Sequence, residues 1–472
     1  MMRNLVSVVA ALAMVGLGAC ATVGEPPPGV PAIPLAWTES GGEDAVALTR
    51  DWWNSFGSAE LTELIDAALG ANPDIAIAAE HVRQAEAQVR IAGAALFPAL
   101  NLSAATALRE TRVQGGSWMR ENSSIATLTA AYEIDLWGGN AAGVRSAKST
   151  LSATRFDQET VRLTLVAGVA SGYFEVLSLR GRIATGREDL VIAERVLKVV
   201  EARTRYGAAS PLDLARQQEA VLTLRAAIPP LELQEVQTLY ALALLAGRPP
   251  EGFKIAGSTV TGLDVPRAGP GLPADLLVRR PDLASAEARL AAANANVAVA
   301  RAALLPNISL TGSAGLASNL LINFLNSPTV ALGLGAALLQ PIFDGGRLRG
   351  QVDVATSSER ELVEAYRKSI LAALTDVEGA LAAGGRTADQ EALQAQVVAQ
   401  ARIALRLSEI RYREGVDDLL VLLDTQRALF QAVDQLAQIR LSRLQASVSL
   451  FKALGGGWEI NDVVSASGLS AR

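Results

Sequence analysis

The sequence predicts a mainly α-helical fold with a small β part, laid down twice in one chain. Three observations carry that prediction. Pro73 to Ser103 aligns without a gap on Pro281 to Thr311, 208 positions later, with 13 identities in 31 pairs. Two runs, Ala141 to about Thr204 and Leu348 to Arg413, keep apolar residues at helical spacing over 64 to 66 residues without a proline. Between the helical runs, four segments of about ten residues alternate apolar with small or polar side chains, the period of a strand. Seven identities of the repeat are Ala–Ala and follow from composition as readily as from duplication. Pro73/Pro281, Asp74/Asp282, Leu96/Leu304 and Pro98/Pro306 punctuate the pattern and weigh more.

Composition fits long, closely packed helices. Half of the chain is hydrophobic, yet only 4% is aromatic. Such a chain fills a thick core poorly and suits helices whose small residues permit near approach. A net charge of −6 without basic runs argues against a nucleic-acid partner. Apart from the N-terminus, no unbroken apolar run is long enough for a membrane-spanning helix.

The N-terminus reads as a targeting signal over residues 1–19: Arg3, the apolar run Leu5 to Leu17, then Leu17-Gly18-Ala19-Cys20. It resembles a bacterial lipoprotein signal, which implies that Cys20 becomes the first mature residue and carries covalent lipid. No other cofactor is expected. Cys20 is the only cysteine, so an intramolecular disulfide is excluded. Ala21 after it resembles lipoproteins sent to the outer membrane. Residues 20–60 are read as an extended lipid-anchored tether, Pro-rich from Glu25 to Pro34.

Residues 61–250 form the first repeat. A short amphipathic helix spans Leu61 to Leu69, and Asn72-Pro73 starts a second that ends before the joint at Pro98. Leu102, Ala104, Thr106 and Leu108 share one strand face; Leu128, Ala130, Tyr132 and Ile134 share another after a loop from Arg109 to Asn122. Asp135-Leu136-Trp137-Gly138-Gly139 ends the hairpin. The long helix stops at Tyr206-Gly207, Ser210-Pro211 restarts one, and Pro229-Pro230 predicts a kink or break before Gly247. Residues 251–278 are a Pro/Gly-rich equatorial linker. Residues 279–457 repeat the programme: a helix from Pro281, a joint at Pro306, two strands, then a long helix interrupted only at Gly379 and Gly384-Gly385. The last helix runs from Leu419 to Leu454 and ends at Gly455 to Gly457, leaving residues 458–472 as a tail. Gly415 lies 208 residues after Gly207. The loop Asn319 to Leu325 is more apolar than an exposed tip requires.

Four strands of this length can each cross a bilayer when tilted, but cannot close a barrel alone. An open edge in lipid leaves backbone groups unpaired. Either these are ordinary half-buried strands in a soluble sheet or the barrel is shared between chains; the lipoprotein signal and the duplication favour sharing. In each copy the shorter helices, about 24 and 36 residues, sum to the length of the long one. Each copy therefore pairs one long rod with one composite rod, roughly 90–100 Å long at ~1.5 Å per residue.

Arg279-Arg280-Pro281-Asp282, Gln340-Pro341-Ile342-Phe343-Asp344-Gly345-Gly346-Arg347, Arg411-Tyr412-Arg413-Glu414-Gly415-Val416 and Leu454-Gly455-Gly456-Gly457-Trp458 together resemble the TolC family, closest to its lipid-anchored outer-membrane factors of the OprM/NodT type. The resemblance covers nearly the whole mature chain. It implies a homotrimer whose twelve strands close one membrane β-barrel above a long α-helical barrel. It further implies a Gram-negative outer membrane, a periplasmic adaptor and an inner-membrane RND-type pump. The function expected is a passive exit duct for drugs or other small molecules. An exit duct for protein secretion uses the same architecture. A structural coiled-coil lipoprotein would explain the rods but not four strands at matched positions.

An enzyme is the class excluded first. His81 is the only histidine and falls on a helix; no metal-spaced cluster and no phosphate-cradling glycine loop is present. Asp417 and Asp418 have two readings, as N-caps of the last helix or as carboxylates ringing a periplasmic constriction, and one of each is compatible. The resemblance places this turn at the pore mouth, with Arg411 and Tyr412 as closing contacts. Arg203, Arg205, Tyr206 and Asp213 are the equivalents in the first copy.

Overall fold

The computed structural model describes residues 33–39, 46–112, 114–318 and 328–458. The signal segment, Cys20, the loop Asn319 to Leu325 and the tail beyond Trp458 lie outside the described residues. Among those described, the elements are α1 (Ala59–Ala71), α2 (Pro73–Ala94), β1 (Ala99–Arg112), β2 (Trp118–Ile134), α3 (Gly139–Arg205), α4 (Pro211–Leu245), α5 (Pro281–Ala302), β3 (Asn307–Ser318), β4 (Thr329–Leu339), α6 (Arg347–Arg413) and α7 (Leu419–Ala453). The two copies agree in length: 22 residues for α2 and α5, 67 for α3 and α6, 35 for α4 and α7. At ~1.5 Å per residue the long rods reach about 100 Å.

The two expected interruptions do not occur. Helix α4 runs unbroken through Pro229 and Pro230. Both prolines face away from the rods, so the carbonyls they leave unpaired, four residues back, meet water. Ile228 before them is buried against Gly186 of α3, which holds the backbone helical. Helix α6 likewise continues through Gly379, Gly384 and Gly385. Glycine lowers helix stability without removing a hydrogen bond, so packing against α7 suffices.

Helices α2 and α4 both pack on α3, while α5 and α7 pack on both α6 and α3. This is the paired arrangement of long and composite rods. The composite rods are joined at their butted ends. Buried Asn72 accepts from the Asp74 amide at 2.7 Å, capping α2, and donates to the Leu245 carbonyl at 2.9 Å, closing the end of α4. At the equivalent joint Arg280 donates to the Ala453 carbonyl at 3.1 Å and pairs with Asp282 at 2.7 Å and Asp376 at 3.1 Å. Gly247 and Gly455 follow the two C-termini with φ of 66° and 90°. A Cβ at either would run into the backbone of the abutting segment, Ala71 or Arg279. Glycine is required twice, by conformation and by contact.

The linker wraps the rods at mid-height. Arg180 of α3 donates to the carbonyls of Ile255 (2.8 Å) and Gly257 (2.5 Å), Arg440 of α7 to Leu263 (2.5 Å), and Ser447 to Pro266 (2.6 Å). The main core lies here: Trp52 stacks on Phe451 at 4.9 Å, Phe56 meets Phe174 at 4.9 Å, and Leu61, Ile65 and Ile370 are buried around them. The described part of residues 20–60 is therefore no tether. Val46 bridges to Ala268, Trp37 donates to the Gly271 carbonyl at 2.9 Å, and a 3-10 turn at Trp52–Phe56 buries its aromatics. Apolar bulk explains the difference, because two adjacent tryptophans have more to gain from the core than from solvent.

The strands form one antiparallel sheet in the order β1-β2-β3-β4, so the hairpins of the two copies join through β2 and β3. The second hairpin has strands of 12 and 11 residues. The first is longer than expected, 14 and 17, and most of the loop predicted from Arg109 to Asn122 is strand. Its charges are cross-strand partners: Arg120 pairs with Glu110 at 2.7 Å, and the Arg112 guanidinium lies 5.9 Å from the Trp118 ring centre.

Gly455→Ala is expected to cost more than the ~1–2 kcal/mol of left-handed strain alone, because the Arg279 carbonyl must also move. Gly207→Ala, at φ 76° in open space, should cost only the strain. Thermal melts of the detergent-solubilised variants by circular dichroism check this; equal losses would show that the joint tolerates a side chain.

Candidate functional site

The sheet has the construction of a barrel sector. Register makes each face continuous across all four strands. Leu102 stands opposite Leu128, Leu128 opposite Ala314, and Ala314 opposite Leu332. On the other face Asn101 stands opposite Thr129, Thr129 opposite Ser313, and Ser313 opposite Gly333. The apolar face is open, with Leu332 and Leu334 exposed at 80% and 97%. The second face is hydroxyl-rich, and its glycines make room for those hydroxyls. The Thr127 Oγ1 lies 3.2 Å from where a Cβ of Gly315 would sit, the Ser313 Oγ 2.8 Å from that of Gly333. An apolar face alternating with a small, hydrated one is what a membrane barrel needs.

Pro98 and Pro306 lie where expected, each immediately before its strand. Trp137 donates its Nε1–H to the Pro306 carbonyl at 2.7 Å, tying the turn after β2 to the seam of the second copy. Asp135 accepts from the amides of Asn140 (3.0 Å) and Ala141 (2.7 Å) to start α3; Asp344 accepts from Gly346 and Leu348, both at 3.0 Å, to start α6. Exposed Phe97, Leu136, Trp137, Ile342 and Phe343 form an apolar belt at this level, suited to a membrane interface. Among the described residues one helix, α3, has a stretch apolar enough to cross a bilayer, but half of that stretch is buried within the protein, where Val169, Phe174 and Leu177 belong to the main core.

At the opposite ends of the rods two turns lie together over a small core of Val200, Leu405, Leu419 and Leu422. Arg411 forms a two-point ion pair with Asp417, Nε to Oδ2 at 2.7 Å and Nη2 to Oδ1 at 2.8 Å. Asp418 accepts from the Val421 amide at 3.2 Å and caps α7. Asp418 is the cap of α7, and Asp417 is engaged by Arg411 instead. The Arg203 guanidinium lies 4.6 Å from the Tyr412 ring centre and donates to the Arg413 carbonyl at 3.4 Å, linking the tips of the two copies. Asp213 is engaged locally. It closes a capping box with Ser210, accepting from the Ser210 amide at 3.0 Å and hydroxyl at 2.8 Å, and these bonds hold its carboxyl below the usual range. Tyr206 is 84% exposed at the tip.

Sequence reasoning named Arg203 and Tyr412 without pairing them, and it missed Arg182, whose 2.6 Å and 3.2 Å bonds to Asp434 tie α3 to α7. No local pattern encodes a partner 252 residues away. His81 is exposed on α2. Among the described residues no three His, Cys, Asp or Glu side chains are grouped to hold a metal.

The hydrogen bonds from Arg411 hold Asp417 below the usual carboxylate range. A depressed folded value means the pair stabilises the turn at any pH above ~4, the ordinary Asp value, and that this is lost as pH falls through the folded one. Amide exchange over 414–421 should therefore accelerate in the unsubstituted protein only below about pH 4, and in Asp417→Asn already at pH 7. Equal exchange of the two at pH 7 would mean that the pair does not hold the turn.

Comparison with known proteins agrees with this geometry. The family described as "Outer membrane efflux protein" matches residues 64–248 and 272–456, two segments again 208 positions apart. The pyoverdine export outer membrane protein OpmQ of Pseudomonas aeruginosa is 42% identical over 468 residues, covering 97% of this chain and 98% of its own. The toluene efflux pump outer membrane protein TtgF of Pseudomonas putida is 35% identical, covering 90% and 89%. Among solved structures, the open state of the Neisseria gonorrhoeae MtrE outer membrane channel superposes with a TM-score of 0.83 at 28% identity, over 92% of this chain and 97% of that one. All three are named for the outer membrane, and the chain belongs to the outer membrane efflux protein family.

Proposed function

We propose that three copies of this chain close a single passive duct across the outer membrane, gated at the tips of its rods. One observation carries the reading: the sheet and the helical layer are open on the same two sides. Among the described residues strand β1 bonds only to β2, and β4 only to β3, so each outer edge offers a row of unpaired backbone groups. Helix α2 leads into β1, and α6 follows β4. The edge rods α2 and α4 expose Ile77, Ile91, Leu222 and Leu244, and the opposite edge rod α6 exposes Leu371, Leu393 and Leu407. A second copy satisfies both the backbone edge and the apolar edge in one contact. Three copies supply twelve strands, within the range of known barrels.

The signal at 1–19 and the lipid on Cys20 complete the anchorage. A periplasmic adaptor and an inner-membrane pump of the RND type supply energy, and the chain itself does no chemistry. OpmQ and TtgF, named for pyoverdine export and toluene efflux, support small molecules as cargo. The Arg203–Tyr412 stack and the Arg411–Asp417 pair fasten the tips closed in each protomer, and pulling them apart widens the mouth.

In detergent the mature protein should have the mass of three chains and should conduct in planar bilayers. Arg203→Ala with Asp417→Ala should raise single-channel conductance severalfold. Unchanged conductance overturns the gate; a monomer without conductance overturns the duct. Cys20→Ser should remove the lipid mass from the mature chain, and retention of that mass would refute the assigned acylation site.

A further inference from the structure

The hydroxyl-rich face of the sheet carries three charges among the described residues, and only one of them, a carboxylate at its foot, has no opposite charge across from it. Along this face run Ser103, Thr127, Thr129, Ser309, Thr311 and Ser313, with glycine and alanine between them. At the far end Arg109 stands directly opposite Glu121, so the two charges offset one another. Glu133 has no such counterpart. It lies one residue before the end of β2, is exposed, and stands opposite Ser309. Its carboxylate has no ion-pair partner among the described residues. The nearest carboxylate in sequence, Asp135, is committed to capping α3.

We infer that Glu133 is the charge-selective residue of the barrel: one carboxylate per chain, facing the lumen just above the seam, which favours cationic and disfavours anionic solutes where the helical tunnel meets the membrane. The inference rests on the proposed duct, in which the hydroxyl face lines the lumen. The low permittivity of the surrounding protein and lipid focuses the field of a carboxylate inside such a passage. In ~0.15 M salt that field decays over about 8 Å, so the selectivity is local. It acts on Ser309, whose Cβ should lie about 5 Å away as a cross-strand partner. It is weak at Ser313, about 13 Å further along the strand at ~3.3 Å per residue. Above the foot the barrel leaves ions and neutral solutes undistinguished, and discrimination among neutral cargoes falls to other parts of the system.

The test reads the local potential with thiol probes. Ser309→Cys and Ser313→Cys are labelled from outside intact cells with membrane-impermeant methanethiosulfonates, one cationic and one anionic, and the protein without either substitution gives the background from Cys20. The cationic-to-anionic rate ratio at Ser309→Cys is expected to exceed that of the Ser309→Cys, Glu133→Gln double variant about fourfold, the size of a screened charge at that distance. At Ser313→Cys the same Glu133→Gln change should move the ratio little. Any effect of the carboxylate on the thiol itself acts on both reagents and cancels in the ratio. A ratio at Ser309→Cys that Glu133→Gln leaves unchanged overturns the inference while the duct stands. If neither cysteine is labelled by either reagent, the hydroxyl face does not line an open lumen, and the duct reading fails together with the inference.

Discussion

A backbone amide or carbonyl in hydrocarbon has no water to turn to, and each one left unpaired costs several kcal/mol. That constraint governs the rest of this structure. The four strands satisfy one another internally along three ladders, yet among the described residues β1 and β4 each keep an unpaired edge. The chain cannot cure this alone, since four strands do not close. Everything else on those two sides is consistent with closure by further copies. The edge rods carry exposed apolar side chains where a globular protein would carry charge, and the small residues of the sheet leave space on the face that a lumen would use.

The second constraint is length. A single 67-residue helix beside another would make a simple pair, but each long rod here is matched by two shorter helices laid end to end. Such a joint exposes the last carbonyls of one helix and the first amides of the next. The structure resolves both by placing one side chain across the gap: Asn72 in one copy, Arg280 in the other. These residues are 208 positions apart, as are Gly247 and Gly455 beside them. The duplication thus preserved the mechanical solution while changing the chemical one. An amide is enough where one carbonyl must be reached; a guanidinium also gathers Asp282 and Asp376, fixing α5 and α6 at one point.

The two ends of the rods differ in character. At the seam, proline, capping aspartates and the Trp137–Pro306 bond fix the angle at which helix becomes strand. At the tips the contacts are exposed and charged: a two-point ion pair, a cation over a ring, and a capping box. Exposed pairs of this kind are individually weak. Between them the equatorial core packs Trp52, Phe56 and Phe451 together, away from both ends.

By itself the sequence determined the duplication, the helices, the four strands, their faces and the seams at Pro98 and Pro306. These follow from local rules, in which period, caps and breakers act within a few residues. It misread Pro229-Pro230 and the glycines of α6, because propensity is local while the packing that overrides it comes from α3 and α7. The charges of Arg109 to Glu121 looked like loop because each needs a partner that only the hairpin register supplies. The ordered segment at Trp52–Phe56 was read as tether because its core is built from helices far along the chain, α3, α6 and α7 among them. The candidate site divided in the same way. A capping role at Asp417 or Asp418 was legible, but which aspartate took it depended on where Arg411 pointed after the turn had formed. The pairing of Arg203 with Tyr412, and of β2 with β3, joins residues far apart in the chain. Such contacts are set by how whole elements pack, and tertiary structure alone decided them.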